Sequence, residues 1–276
     1  AGAHAQETLN ESVQHWALAP FLGTGAYEFD GEQTVYVVEF TPRWTWHEGS
    51  APGAVPRRPK LEFLVPTTLG LRSFDLADLP ETLDPDNAAT LSVVPGMYAT
   101  WHVNGRWTLL GTANLGMGAR LDGGESAFIH RIGLRSRYTL GDDETRWNLI
   151  AAIDRFGYDT NLDRAGHMLP FTLAVELEHA VEAWATSAGA THLVLHLSGT
   201  HYLDELSFEA FEEAGSAISN DLEFGVAVRP AEPFRLWKLS WERIGIAYRR
   251  GEGHAEGDGD STFEGIRLYF GSIFDQ

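Results

Sequence analysis

The chain has 276 residues, with 39 acidic against 20 basic side chains, a formal net charge of −19 and no cysteine. That balance excludes nucleic acid as a general partner, because phosphate recognition needs clustered positive charge. The lack of cysteine excludes a disulfide framework and thiolate chemistry. No apolar run reaches the roughly 20 residues of a membrane-spanning helix, which leaves spanning strands open, since they alternate and average out in a hydropathy window.

The N-terminal AGAHAQET carries Ala3-His4-Ala5, the small-x-small form of a signal-peptidase site. Residues 1–14 are therefore expected to be a periplasmic segment of an exported chain, and 15–276 a single domain. Period-2 alternation recurs from there to the end. It predicts twelve strands, at 15–29, 34–47, 60–74, 89–103, 106–121, 126–140, 145–158, 168–180, 191–202, 221–229, 240–250 and 263–274. In 34–47 one face reads Tyr36, Val38, Phe40, Pro42, Trp44, Trp46 and the other Val35, Val37, Glu39, Thr41, Arg43, Thr45, His47. In 106–121 Trp107, Leu109, Leu115 and Met117 oppose Arg106, Thr108, Thr112, Asn114 and Arg120. In 126–140 Phe128, His130, Ile132 and Leu134 oppose Arg131, Arg135 and Arg137. Asn104-Gly105 has the composition of a two-residue hairpin turn. LDELSFEAFEEAGSAI (203–218) reads as helical and is placed in a loop, as is the polar GEGHAEGDGDS (251–261). Pro20, Pro42, Pro66, Pro95 and Pro170 fall inside strands, where each removes a ladder donor, so bulges or bends are expected there.

Alternation alone does not say which way the apolar face points. In a soluble sandwich it points inward, and in an outer-membrane barrel it points to lipid. The tryptophans favour lipid. With strands alternating up and down from the periplasm, Trp16, Trp44, Trp46, Trp101, Trp107, Trp147, Trp184, Trp237 and Trp241 fall at one end, with Trp184 in a connection. Indole rings favour a membrane–water interface. The connections at the opposite end are acidic, with Arg164 as their basic residue, and suit divalent cations or cation bridges to lipopolysaccharide. The expected fold is all-β: a monomeric transmembrane antiparallel up-and-down barrel of 12 strands in the bacterial outer membrane, both termini periplasmic. The rival is a soluble periplasmic sandwich that binds ligand.

The C-terminal GIRLYFGSIFDQ resembles the closing strand of bacterial outer-membrane barrels, with Phe274 as the terminal aromatic behind Ile266, Leu268 and Phe270. Asp275 and Gln276 follow it, where that signature is usually terminal. Twelve strands in this length resemble an autotransporter translocator domain, and the chain is similar to the solitary, passenger-less autotransporter-like barrels. Acidic-sugar porins and nucleoside channels remain alternatives. The resemblance implies delivery to the barrel-assembly machinery through the C-terminal strand, and it carries over no catalytic residue.

The faces turned away from lipid supply Arg43, Arg72, Arg106, Arg120, Arg131, Arg135, Arg137, Arg229, Arg249 and Arg267. They also supply Glu39, Glu62, Asp154, Glu176, Glu178 and Glu223. Unpaired charge inside a low-dielectric wall is costly, so most of these should pair. Two uses follow: a narrow channel for small solutes, anions among them, or a network that braces a non-conducting barrel. A lipid-modifying enzyme is the remaining alternative. His192 and His196 lie four residues apart, about 13 Å along a strand, too far to share a metal. His130 lies too far from Ser126 and Ser136 along one strand to bond either. No catalytic group, metal or cofactor is assigned.

Overall fold

The computed structural model describes residues 16–29, 33–51, 58–72, 90–121, 124–162, 165–186, 189–210, 213–236, 239–255, 259–272 and 274. They form a closed antiparallel barrel of twelve rungs. Rung 1 is β1 (Gly25–Phe29). Rung 2 is split into β2 (Gln33–Phe40) and β3 (Arg43–His47), rung 3 into β4 (Lys60–Leu64) and β5 (Thr67–Arg72). Rung 4 is split into β6 (Thr90–Val93) and β7 (Gly96–His102). β8 (Trp107–Arg120), β9 (Ser126–Gly141) and β10 (Thr145–Thr160) are continuous. Rung 8 comprises β11 (Ala165–Met168) and β12 (Pro170–Thr186), followed by β13 (Gly189–Ala210) and β14 (Glu213–Arg229). A separate small hairpin, β15 (Phe234–Leu236) and β16 (Leu239–Trp241), precedes the last two rungs. Those are β17 (Ile244–Ala255) and β18 (Gly259–Phe270). β18 closes the circle on β1, from Gly25 opposite Arg267 to Phe29 opposite Phe263.

The four split rungs mark the prolines. Pro42, Pro66 and Pro95 sit at the breaks in three neighbouring rungs. A proline lacks the N–H but keeps its carbonyl. The Pro42 carbonyl accepts from Val65 N–H at 3.1 Å, that of Pro66 from Val94 at 2.9 Å, and that of Pro95 from Leu115 at 2.9 Å. The expected bends are thus aligned into one crease across the wall, each break covered by the next rung. At the fourth split, Leu203 N–H reaches the Leu169 carbonyl at 3.0 Å beside Pro170.

Three expectations change. First, 15–29 is not one strand: Trp16–Phe21 is a 3-10 helix holding Pro20, and β1 begins only at Gly25. Gly23 turns the chain with a positive φ of 79°. Second, 203–218 is extended. β13 and β14 continue through it, pairing Leu206 with Ile218 and Ser207 with Ala217, so sheet pairing overrides the local helical preference. β17 and β18 likewise extend into 251–261. Third, β18 ends at Phe270, and Gly271, at φ 105°, turns the chain away, so Phe274 does not close the strand.

The wall has two faces. Along β8, Thr108, Leu110, Thr112 and Asn114 are buried, while Leu115 and Met117 are about 60% exposed. Ile132, Leu134, Leu149, Leu173, Leu197, Leu222, Phe224 and Ile266 are exposed on other rungs. The apolar face therefore points outward and the polar one inward. Trp44, Trp46, Trp101, Trp107, Trp147 and Trp184 are all exposed near one end, called the Trp end below. Trp184 lies within β12 rather than in a connection. Trp241 packs its ring on Phe270, at 5.4 Å between centroids. Trp16 opens the 3-10 helix instead of a rim strand, and Trp237 lies outside the described residues. No helix among the described residues is long and apolar enough to cross a membrane.

Candidate functional site: the barrel interior

Inward-facing side chains from opposite rungs meet, and two chain segments fill the space between them. Toward the end opposite the tryptophans, the loop end, the 3-10 helix lies against the wall with Ala17 and Ala19 buried. Its Phe21 ring packs 3.9 Å from that of Phe156. Tyr27, Ile129, Tyr158, Met168, Tyr202, Ile218 and Phe263 complete one apolar cluster there. Tyr27 lies across the strand pair from Gly265, where a Cβ would collide with its ring, so glycine is required for the aromatic to lie flat on the wall. Gly245 opposite Tyr269 repeats the device.

The rest of the interior is ionic. On β12, Glu176 and Glu178 both face Arg243, at 2.6 and 2.9 Å, and Arg229 reaches Glu178 at 2.9 Å. Asn148 donates to Glu176 at 3.0 Å. Glu223 accepts from Arg267 at 3.0 Å and lies 2.9 Å from His196 Nε2, whose Nδ1 lies 3.2 Å from the Tyr269 hydroxyl. Arg249 lies 2.7 Å from Asp221, and the Tyr202 hydroxyl donates to the same carboxylate at 2.6 Å. Asp154 serves both Arg131, at 2.8 Å, and Arg135, at 3.2 Å. Glu62 pairs with Lys60 at 2.9 Å and has Arg43 at 3.9 Å. The carboxylates are almost fully buried, with Glu176 at 1% exposure. Removing one partner from such a pair costs about 3–5 kcal/mol.

Most of the charged residues predicted to face inward thus come together in pairs. Glu39 accepts a hydrogen bond from Thr41, and its backbone N–H donates to Thr24 Oγ1 at 2.9 Å, just before β1 begins. Arg43 is partly exposed at the Trp end. Arg120 closes β8. Arg72 ends β5, with its side chain outside the described residues. Arg106 lies exposed in the Asn104-Gly105 turn, away from the interior, because the backbone N–H groups of Arg106 and Trp107 both cap Asn104 Oδ1 at 2.8 Å. Arg243 and Arg146 were not anticipated. Both continue an inward parity, Arg243 that of Gly245, Ala247 and Arg249, and Arg146 that of Asn148 and Ile150. Both fall inside the predicted strands 145–158 and 240–250, so reading each face over the full predicted strand would have found them.

Arg131, Arg135 and Arg137 do not form an open ladder. Two share Asp154, and the Arg137 guanidinium lies over the Phe274 ring, 4.6 Å from its centroid. Phe274 is 1% exposed. Past β18 the chain folds back inside the Trp end, where Leu64, Tyr98, Leu110 and Ile150 enclose this ring. Arg135 donates to the Phe274 carbonyl at 3.2 Å. Burial of the ring contributes roughly 1.5–3 kcal/mol, and the cation–π contact about 0.5–2 kcal/mol more. On the outer face, His130 packs beside Phe128, while Ser136 accepts the Trp107 indole N–H at 2.9 Å, so His130 and Ser136 are separate.

No protein-family model matches the chain, and no curated protein does. Solved structures match across nearly the whole barrel. The β domain of the Bordetella autotransporter BrkA superposes with a TM-score of 0.50 at 16% identity, covering 89% of this chain and 96% of that one. The transport unit of the autotransporter AIDA-I from Escherichia coli gives 0.47 at 9% identity, over 89% and 86%. The chain thus has the fold of an autotransporter β domain, a closed barrel of twelve antiparallel strands, as the BrkA likeness indicates.

Proposed function

We propose that this protein is a monomeric outer-membrane barrel, with its apolar face in lipid, its Trp end at the periplasmic interface and its Arg-rich, charge-paired interior shut at rest. The observation that carries the reading is the combination of an exposed apolar exterior with buried, paired ions inside. A water-soluble barrel would bury the first and solvate the second. Heat-modifiable migration tests the location. A compact unboiled band that needs detergent or lipid agrees with it, and a chain that stays monodisperse in plain buffer sinks it.

Two roles fit a barrel of this kind. A non-conducting scaffold is favoured by the filling: the helix Trp16–Phe21 occupies the loop-end half and Phe274 the Trp-end half. A narrow anion channel is favoured by the guanidiniums gathered around Asp154, with Arg137 on a ring instead of an acid. Solute passage then requires both the tail and the helix to leave. Delivery by the barrel-assembly machinery through β18, ending in Phe270, and contact with lipopolysaccharide at the loop end belong to the same reading.

A further inference from the structure

The seat of Phe274 has the character of a ligand site. Leu64, Tyr98, Leu110 and Ile150 form one buried apolar cluster with the Phe274 ring. Arg137 covers the ring face, and Arg135 donates to the carbonyl oxygen at 3.2 Å. These two cations are under-satisfied where they stand. The Nε atoms of both are buried without a hydrogen-bond partner. Arg135 shares Asp154 with Arg131. The neutral peptide carbonyl is a weaker acceptor for Arg135 than a carboxylate, which in its place would form charge-assisted bonds.

The occupant is also detachable from the wall. It lies past Gly271, whose positive φ ends β18, and outside the barrel's strand ladder. Its local ties are the bond from Gly271 N–H to the Arg243 carbonyl at 3.1 Å and the Phe274 N–H to Ser272 Oγ at 3.2 Å. None of these holds the barrel closed, which is the task of the β1–β18 pairing.

We propose that this socket is a binding site for aromatic carboxylates, and that Phe274 of the chain's own tail is its resident competitor. The ring enters the apolar cluster under Arg137 and the carboxylate takes the place of the Phe274 carbonyl on Arg135. The inference rests on the reading of the barrel as shut by its tail, and it supplies that reading with a ligand class able to replace the stopper.

The test uses 3-phenylpropanoate, which has the ring, two-carbon link and carboxyl carbon of a phenylalanine residue. Titration calorimetry in detergent micelles compares the full chain with a truncation ending at Phe270. Heat-modifiable migration first shows that each is folded. The truncated barrel should bind at least tenfold tighter than the full chain. It should lose at least tenfold when it carries Arg137→Gln, and also when the ligand is the neutral 3-phenylpropan-1-ol. Equal binding to truncated and full-length chains overturns the proposal, as does equal binding of acid and alcohol. If the truncation does not fold, the full chain with Phe274→Ala takes its place with the same expectations. The readout is binding and not current, so a full chain that conducts would overturn the shut reading and leave the binding result standing.

Discussion

At the loop end the barrel is filled by rings and methyl groups: Phe21 on Phe156, Tyr27, Tyr158, Ile218 and Phe263. Toward the Trp end it is filled by ions, above all Arg243 between Glu176 and Glu178, beside the apolar Phe274 pocket and a small apolar patch around Tyr269. The two halves meet the same requirement, a filled interior inside a wall with an apolar exterior, by different means. The apolar half gains from area and tolerates repacking. The ionic half gains little net stability from each pair, because desolvation offsets the attraction, but it penalises any loss of a partner heavily. An interior built this way fixes which rungs face one another more strictly where charges meet than where rings do.

The largest expected effect therefore lies in the ionic half. Arg243→Ala leaves Glu176 short of its nearest cation and Glu178 with Arg229 and the more distant Arg146, and should cost about 3–5 kcal/mol in urea unfolding from micelles. Replacing Arg243 and Glu176 together by Met should recover much of that loss, since an apolar pair of similar volume carries no orphaned charge. In the apolar half, Phe156→Ala should cost about 3 kcal/mol, at the lower end for a buried ring, because Phe21 can move into the space. If Phe156→Ala proves costlier than Arg243→Ala, the contrast between the halves fails.

The contrast also presumes a lipid exterior. Ile132, 63% exposed near the middle of β9, tests it. Ile132→Arg should cost roughly 2–4 kcal/mol when unfolding is followed from a bilayer, whereas at a water-facing position the change would be close to neutral. The smallest effect belongs to the seam just before β1 begins. Thr24→Val removes the acceptor of the Glu39 N–H and should cost about 1 kcal/mol in the same measurement.

Much of the wall was legible from residues alone. The faces of β8 and β9 follow the alternation, because each side chain of a strand meets either the exterior or the interior and the residue types differ accordingly. The parity that places Arg131 and Asp154 inward is the same signal. What filled the interior was not legible. Trp16–Phe21 and Gly271–Phe274 have no period to read, and each is held by rungs distant in sequence, as Phe21 is by Phe156 and Phe274 by Arg135 and Arg137. The prolines were visible, but their alignment was not. It depends on register, which sets Val65 against Pro42 and Val94 against Pro66. The extension of β13 through Leu206 overrode a stretch rich in Glu, Ala and Leu, because pairing with β14 supplies what local propensity does not.

The central claim is that a lipid-facing wall encloses an interior shut at both ends of its height. Planar-bilayer recording of the purified full chain tests it most directly. The account predicts no sustained current at moderate voltage, either from the full chain or from one cut at Phe270, which still holds the helix Trp16–Phe21 at its loop end. A steady open-channel current from the unmodified chain would contradict it.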